Sequence, residues 1–313
     1  MIKYILKRIL SIVPVLIGIS IIAFALGLLT PGDPASMALG LDGVSEITPE
    51  LLLLKQQELG LDQSPIIQYI NWASKALQGD LGYSYMDDAS VTGELLRRLP
   101  VTLKLAGYAL VWIVLFGILS GLCSAAYVNR FQDNMTKLIT NVMLSFPAFW
   151  LGILLIIIFG ETLKILPTSG YGGLKYMILP SMTLACADIA MTSRLTRSSL
   201  LTEFGKQYML AADAKGISRF KVIFSHALPN AITPIIVLIG NFMGGILGGS
   251  VIVENIFALP GIGSLVLNAI HNRDYPMIQG YVIFSGLVYV FITLMIDLIC
   301  AGLNPKMRSG GFR

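Results

Sequence analysis

A run of 21 apolar residues, Ile9 to Leu29, constrains this chain more than any other stretch. As a helix it would be about 31 Å long, enough to cross the hydrocarbon core of a bilayer. It follows a short basic start (Lys3, Lys7, Arg8) and ends in Thr30-Pro31-Gly32-Asp33-Pro34. A secretory signal would have a shorter core and a small-residue cleavage site, so the run reads as a first membrane span. Comparable runs recur at Val101–Val128, Met135–Phe159, Tyr176–Ser193, Asn230–Phe257 and Met277–Leu303. Only 13% of the 313 residues are charged and 55% are hydrophobic, with a mean hydropathy of +0.76. Soluble domains carry about 25% charged residues. The alternating ten-residue segments of a membrane barrel are absent. The expectation is an all-α integral membrane protein with six transmembrane helices.

Three units follow: a terminus and first span at 1–30, an insert at 31–99, and a five-span core at 100–313. The insert carries helix signals. Thr48-Pro49 opens one helix and Gly60 closes it; Ser64-Pro65 opens another, closed at Gly79-Asp80. Tyr69, Trp72 and Leu77 give the second an apolar face, so the insert is expected to fold. Lys104 can snorkel at the start of the second span. Pro147 is expected to kink the third. Gly240, Gly244 and Gly248, with Gly245 and Gly249, repeat at steps of four in the fifth, a spacing that favours close helix packing over a pathway role.

Six spans put both termini on one side, together with the turn at Asn129 and the polar run 203–229. That side holds 14 Lys/Arg and three acids (Asp133, Glu203, Asp213); the other holds eight Lys/Arg and 13 acids. The positive-inside rule places the termini and the polar run in the cytoplasm and the insert outside. The net charge of +4 is therefore a matter of topology, and no nucleic-acid partner is expected.

The polar run, EFGKQYMLAADAKGISRFKVIFSHALP, reads as a helix–glycine–helix module. Phe204, Tyr208, Ala211, Ala212 and Lys215 share one face at spacings of three and four. Gly216 supplies a C-cap and Ser218 can cap a second helix at Arg219. Such a module suits docking to a partner outside the bilayer; composition alone also allows a solvated basic loop.

Here the chain resembles the permeases of ABC-type importers. Their coupling-loop motif runs Glu-Ala-Ala, three residues, Gly, nine residues, Ile, one residue, Leu-Pro. This chain has Leu210-Ala211-Ala212, Gly216, His226-Ala227 and Leu228-Pro229 at the same spacing, with Leu210 in place of the acid and His226 in place of the isoleucine. Ala214-Lys215-Gly216 and the His before Leu-Pro resemble the dipeptide/oligopeptide/nickel branch. So do Gly60-Leu61-Asp62, Gln68-Tyr69 and Gly79-Asp80-Leu81-Gly82 in the insert, Leu259-Pro260-Gly261-Ile262-Gly263, and the tail Asn304-Pro305-Lys306. The resemblance covers nearly the whole chain.

It implies a second homologous permease subunit, two cytoplasmic ATPase subunits, an extracytoplasmic solute-binding protein and a bacterial or archaeal plasma membrane. Tyr208, Leu210, Ala211, Ala212, Lys215, Gly216, Arg219 and Phe220 would contact an ATPase. ATP and Mg would be bound by the partner subunits, with no cofactor on this chain. The branch implies di- or oligopeptide cargo first, then nickel, metal chelates or glutathione.

No Gly-x-x-x-x-Gly-Lys-Ser/Thr loop occurs, so no ATPase site is expected here. No nucleophile–base constellation argues for an enzyme. Cys123, Cys186 and Cys300 lie in apolar spans, and neither they nor His226 and His271 have metal-ligand spacing. Asp188 and Asp297 fall inside spans. Intramembrane acids mark a pathway, a pair or interfacial water. Asp297 reads as structural, whereas Asp188 and Asn241 are the candidates for the substrate path. A stand-alone secondary transporter is the competing class; it would want midplane charges and internal repeats, and both acids sit nearer the cytoplasmic side.

Overall fold

The computed structural model describes residues 2–29, 34–41, 48–58 and 60–303; within them, the side chains of 2–9, 29, 34, 37–38, 41, 210–213, 219–220, 247–249, 301 and 303 are outside the description. The described chain is all-helical apart from one isolated bridge, Tyr83 to Ser90. In order the helices are α1 (Ile2–Leu29), α2 (Pro34–Leu41), α3 (Pro49–Glu58), α4 (Pro65–Leu77), α5 (Val91–Trp112), α6 (Leu119–Ala126), α7 (Phe131–Ser145), α8 (Ala148–Leu155), α9 (Lys175–Phe204), α10 (Gln207–Ala214), α11 (Arg219–Val222), α12 (Leu228–Ile256), α13 (Ile262–Asn272) and α14 (Tyr275–Leu303). π-helical turns join α5 to α6 (Ile113–Ile118), extend α8 (Ile156–Thr162) and join α11 to α12 (Ile223–Ala227).

Among the described residues, four helices are long and apolar enough to cross a membrane: Leu10–Leu28, Val91–Ala126, Ile223–Ile246 and Tyr275–Cys300. The expected third span is not one kinked helix. It breaks at Phe146-Pro147 into α7 and α8, which meet at 101°. Counted as one span, that pair brings the number to five. Pro147 has no N–H to donate, and Phe146 is already extended (φ −92°, ψ 127°), so the helix ends rather than bends.

The expected fourth span lies within α9, which has 30 residues and is about 45 Å long. It is less apolar than those four helices for a physical reason. α9 is packed against α5, α6, α7, α8 and α12, so much of its surface meets protein rather than lipid. Ser181, Thr183, Thr192, Ser193 and Thr196 are all buried. Trp112 Nε1 donates to Ser181 Oγ at 3.0 Å and Ser120 Oγ to Ser193 Oγ at 2.8 Å. Gly117 and Gly121 let the α5–α6 rod come close; a Cβ on Gly121 would stand 2.6 Å from the Ser193 carbonyl.

α12 packs on α9 and α14, and α14 on α1. Gly240 and Gly244 face Ile296 and Tyr289 of α14 with no room for a methyl, so these two glycines serve helix packing. Gly245 meets nothing within 4 Å, and the side chains at 248 and 249 lie outside the description. α3 starts at Pro49, and Gly60 (φ +69°) follows its end. α4 runs from Pro65 and is followed by Gly79 (φ +87°). Tyr69 and Trp72 pack on Phe24 of α1 at 5.5 and 5.7 Å, but Leu77 is 90% exposed and joins no core. Lys104, exposed near the start of the second span, donates from Nζ to Tyr171 Oη at 3.1 Å.

Candidate docking module and its anchors

The expected amphipathic helix from Phe204 to Lys215 is two helices. Phe204 ends α9, Gly205 caps it, and α10 starts afresh at Gln207. The joint is organised by Glu203, a buried acid. Lys206 Nζ approaches Glu203 Oε1 at 2.5 Å and Tyr208 Oη donates to Oε2 at 2.6 Å. Asn230 Nδ2, at the start of α12, donates to Tyr208 Oη at 3.4 Å. One carboxylate thus links the end of α9, the start of α10 and the foot of α12. Burial pushes the Glu203 carboxyl up, but the Lys206 and Tyr208 hydrogen bonds outweigh it and hold the acid below its usual range. Burial, then the Glu203 carboxylate, push the Tyr208 phenol up to about 12.

The inner face of the module is apolar. Met209, Val222, Ile223, Ala227 and Ala231 pack with Leu122 and Ala125 of α6 and Leu200 of α9. Ala214, Lys215 and Gly216 are exposed on the other side. Gly216 takes φ +69°, as a helix-ending glycine does, and the space where its Cβ would be is open. The Val222 N–H donates to Ser218 O at 3.0 Å, so Ser218 stands at the head of α11 as expected. Leu210, Ala211, Ala212, Arg219 and Phe220 sit on helical backbone in α10 and α11, but their side chains lie outside the described residues.

A second anchor, missed by sequence reasoning, lies close by. Asp133 is fully buried at the start of α7. Arg197 of α9 grips it with Nε at 2.7 Å and Nη2 at 2.9 Å. Lys137 Nζ lies 2.8 Å away, Asn129 N donates at 2.9 Å, and Ser124 Oγ of α6 donates as well. Asp133 and Lys137, four positions apart, were a readable helical pair; the 64-residue reach to Arg197 was not.

At the opposite end, Glu254 of α12 is buried. Its Oε1 accepts from Thr102 Oγ1 of α5 at 2.7 Å and its Oε2 from Ser264 N at 3.0 Å. Thr102 Oγ1 accepts from Ile262 N at 3.0 Å. Together they satisfy orphan donors of the first turn of α13. A Cβ on Gly261 would lie 2.4 Å from the Glu254 carboxylate, which explains the glycines in Leu259-Pro260-Gly261-Ile262-Gly263. Asp274 ties the insert to the α13–α14 corner, accepting from Ser84 Oγ at 2.6 Å and Tyr85 N at 3.2 Å. α12 therefore runs unbroken from the module to the insert end.

The two substrate-path candidates are not brought together by any hydrogen bond. Asp188 is half-buried in α9, and Asn241 is exposed on α12. Asn230, Pro234, Val237 and Gly245 are exposed in line with Asn241, at helical steps of three and four. The three cysteines are free, and no His/Cys/Asp/Glu cluster among the described residues could hold a metal.

Comparison with known proteins places these features. The family described as binding-protein-dependent transport system inner membrane component matches residues 113–309, and the N-terminal region of such membrane components matches residues 1–106. The glutathione transport system permease protein GsiC of Escherichia coli (strain K12) is 38% identical over 308 residues, covering 98% of this chain and 99% of its own length. The GsiC proteins of Salmonella typhimurium (strain LT2) and Shigella flexneri serotype 5b are 38% and 37% identical over the same coverage. A solved structure of the MetNI methionine ABC transporter in inward-facing conformations aligns with TM-score 0.54 and 18% identity, over 67% of this chain and 96% of its own, and shares the fold. The chain belongs to the binding-protein-dependent inner-membrane component family: it is the multi-pass permease of an ABC importer, and not itself the ATPase.

Proposed function

We propose that this permease carries di- and oligopeptides, with glutathione, itself a tripeptide, within that class. The support is 38% identity along nearly the full length of proteins named as glutathione transport permeases. The complex would contain a second permease chain, two ATPase subunits that bind ATP and Mg, and an extracytoplasmic binding protein. α9 would be the sixth crossing, its polar surface sheltered by its neighbours. Both termini and the module would face the cytoplasm, as the Lys/Arg distribution requires.

The observation that carries the mechanism is the module's two-sided construction. Its inner face is packed on α6 and α9, while Lys215 and Gly216 stand bare. An ATPase closing on that bare side would push α10 and α11. The Glu203–Tyr208–Asn230 link would pass the push to α12, whose other end holds α13 through Glu254. The helices would then rock between inward and outward access. The exposed line through Asn230 and Asn241 would face the solute path, because carboxamides on a membrane helix are poorly placed against lipid. Asp188 would lie beside it.

The test is uptake by proteoliposomes holding the permease pair, ATPases and binding protein. Glutathione and dialanine should enter only when ATP and the binding protein are both present. ATP-driven uptake of a nickel chelate, with neither peptide transported, would refute the peptide assignment.

A further inference from the structure

α4, the second helix of the insert, is built in two halves. Gln68, Asn71 and Lys75 lie on one arc and, with Asp80, Tyr85 and Gln279, form the polar part of a cleft of about 270 Å³ whose apolar wall includes Phe24 and Trp72. Tyr69 and Trp72 lie on the apolar arc and pack on α1. That arc is wider than α1 can cover. Ile66, Ile70 and Leu77 continue it and are 72%, 58% and 90% exposed. At 100° per residue these three fall within one narrow sector. A helix in water would not present such an edge uncovered.

Its position says what covers it. α4 meets α1 at Ser20, whose Oγ lies 2.8 Å from Tyr69 Oη, and at Phe24. These residues lie nine and five positions before Leu29, about 13 and 7 Å inside the end of the apolar run. The groove beside α4 is closed by Leu16 and Ile17 of α1 and by Ile283 and Leu287 of α14. All four belong to membrane-spanning segments. The open edge of α4 is thus continuous with the lipid-facing surface of two spans. Helices that lie in a bilayer interface bury their apolar face about 5–10 Å below the headgroups.

We propose that α4 is an interfacial helix: Ile66, Ile70 and Leu77 rest among the lipid acyl chains, and the Gln68–Asn71–Lys75 arc faces the aqueous cleft. The insert is then a membrane-seated platform rather than a free outer domain.

The test is spin-label accessibility in the full complex, in nanodiscs of phosphatidylethanolamine and phosphatidylglycerol. Cys123, Cys186 and Cys300 are first replaced by serine. Labels are placed singly through Ile66→Cys, Ile70→Cys, Leu77→Cys and Asn71→Cys. At 66, 70 and 77, collisions with lipid-soluble oxygen should exceed those with a water-soluble nickel chelate several-fold, with the order reversed at 71. Two results would overturn the proposal: nickel accessibility at all four sites, which makes α4 aqueous, or protection of 66, 70 and 77 from both reagents, which makes their cover protein.

Discussion

Asp133→Asn should cost this permease more stability than any other single change at the module end. Asparagine keeps the shape but removes the charge that Arg197 and Lys137 surround. Breaking a buried pair by removing one partner costs about 3–5 kcal/mol, because the remaining charge is left uncompensated. Arg197 and Lys137 keep some access to water, so about 3 kcal/mol is expected here. The apparent melting temperature in mild detergent should fall by several degrees. Arg197→Lys should lose much of the same stability, since an ammonium cannot reproduce the two-point grip. An unchanged melting temperature in Asp133→Asn would mean that the α6–α7–α9 corner is not held by this group.

Gly216 yields the largest expected functional effect. Its φ of +69° is a conformation that β-branched residues adopt at a cost of about 1–2 kcal/mol. Gly216→Val should therefore reshape the turn between α10 and α11. Gly216→Trp adds bulk to the bare face, and Gly216→Asn tolerates the backbone while adding little. In the reconstituted complex, ATP hydrolysis should persist in all three. Uptake should fall severely in the valine and tryptophan variants and survive largely in the asparagine variant. Full uptake with tryptophan would separate this face from the ATPase contact.

Much of this was legible from residue order. The apolar runs located the membrane helices, Gly216 declared its turn, and Thr48-Pro49 and Ser64-Pro65 announced α3 and α4. The motif spacing from Leu210 to Pro229 pointed to the family. What was hidden depended on partners distant in sequence. Tyr176–Ser193 was readable as a span, but nothing local shows that the hydroxyls of α9 are enclosed by its neighbours. Glu254 lies 152 residues from Thr102 in sequence and Asp274 190 from Ser84, and no periodicity links such positions. Pro147 was read as a kink because a single proline is compatible with either outcome. The 101° break depends on where α8 finds its packing, with Gly152 against Phe257 and Thr183. Leu77 was counted toward a protein-packed face because its apolarity is evident in sequence and its exposure is not.

Lys215 and Gly216 lie bare in this chain, and an ATPase seated on α10 and α11 would cover them. The most direct measurement is photo-crosslinking from Lys215→Cys carrying a benzophenone, in the cysteine-replaced background, within native membranes. The label should capture a P-loop ATPase subunit, with the adduct mapping to one groove on it, and the same cysteine left unlabelled should react with membrane-impermeant thiol reagents only from the cytoplasmic face. Capture of an extracytoplasmic protein, or modification from the outside, would contradict both the docking role and the orientation on which it depends.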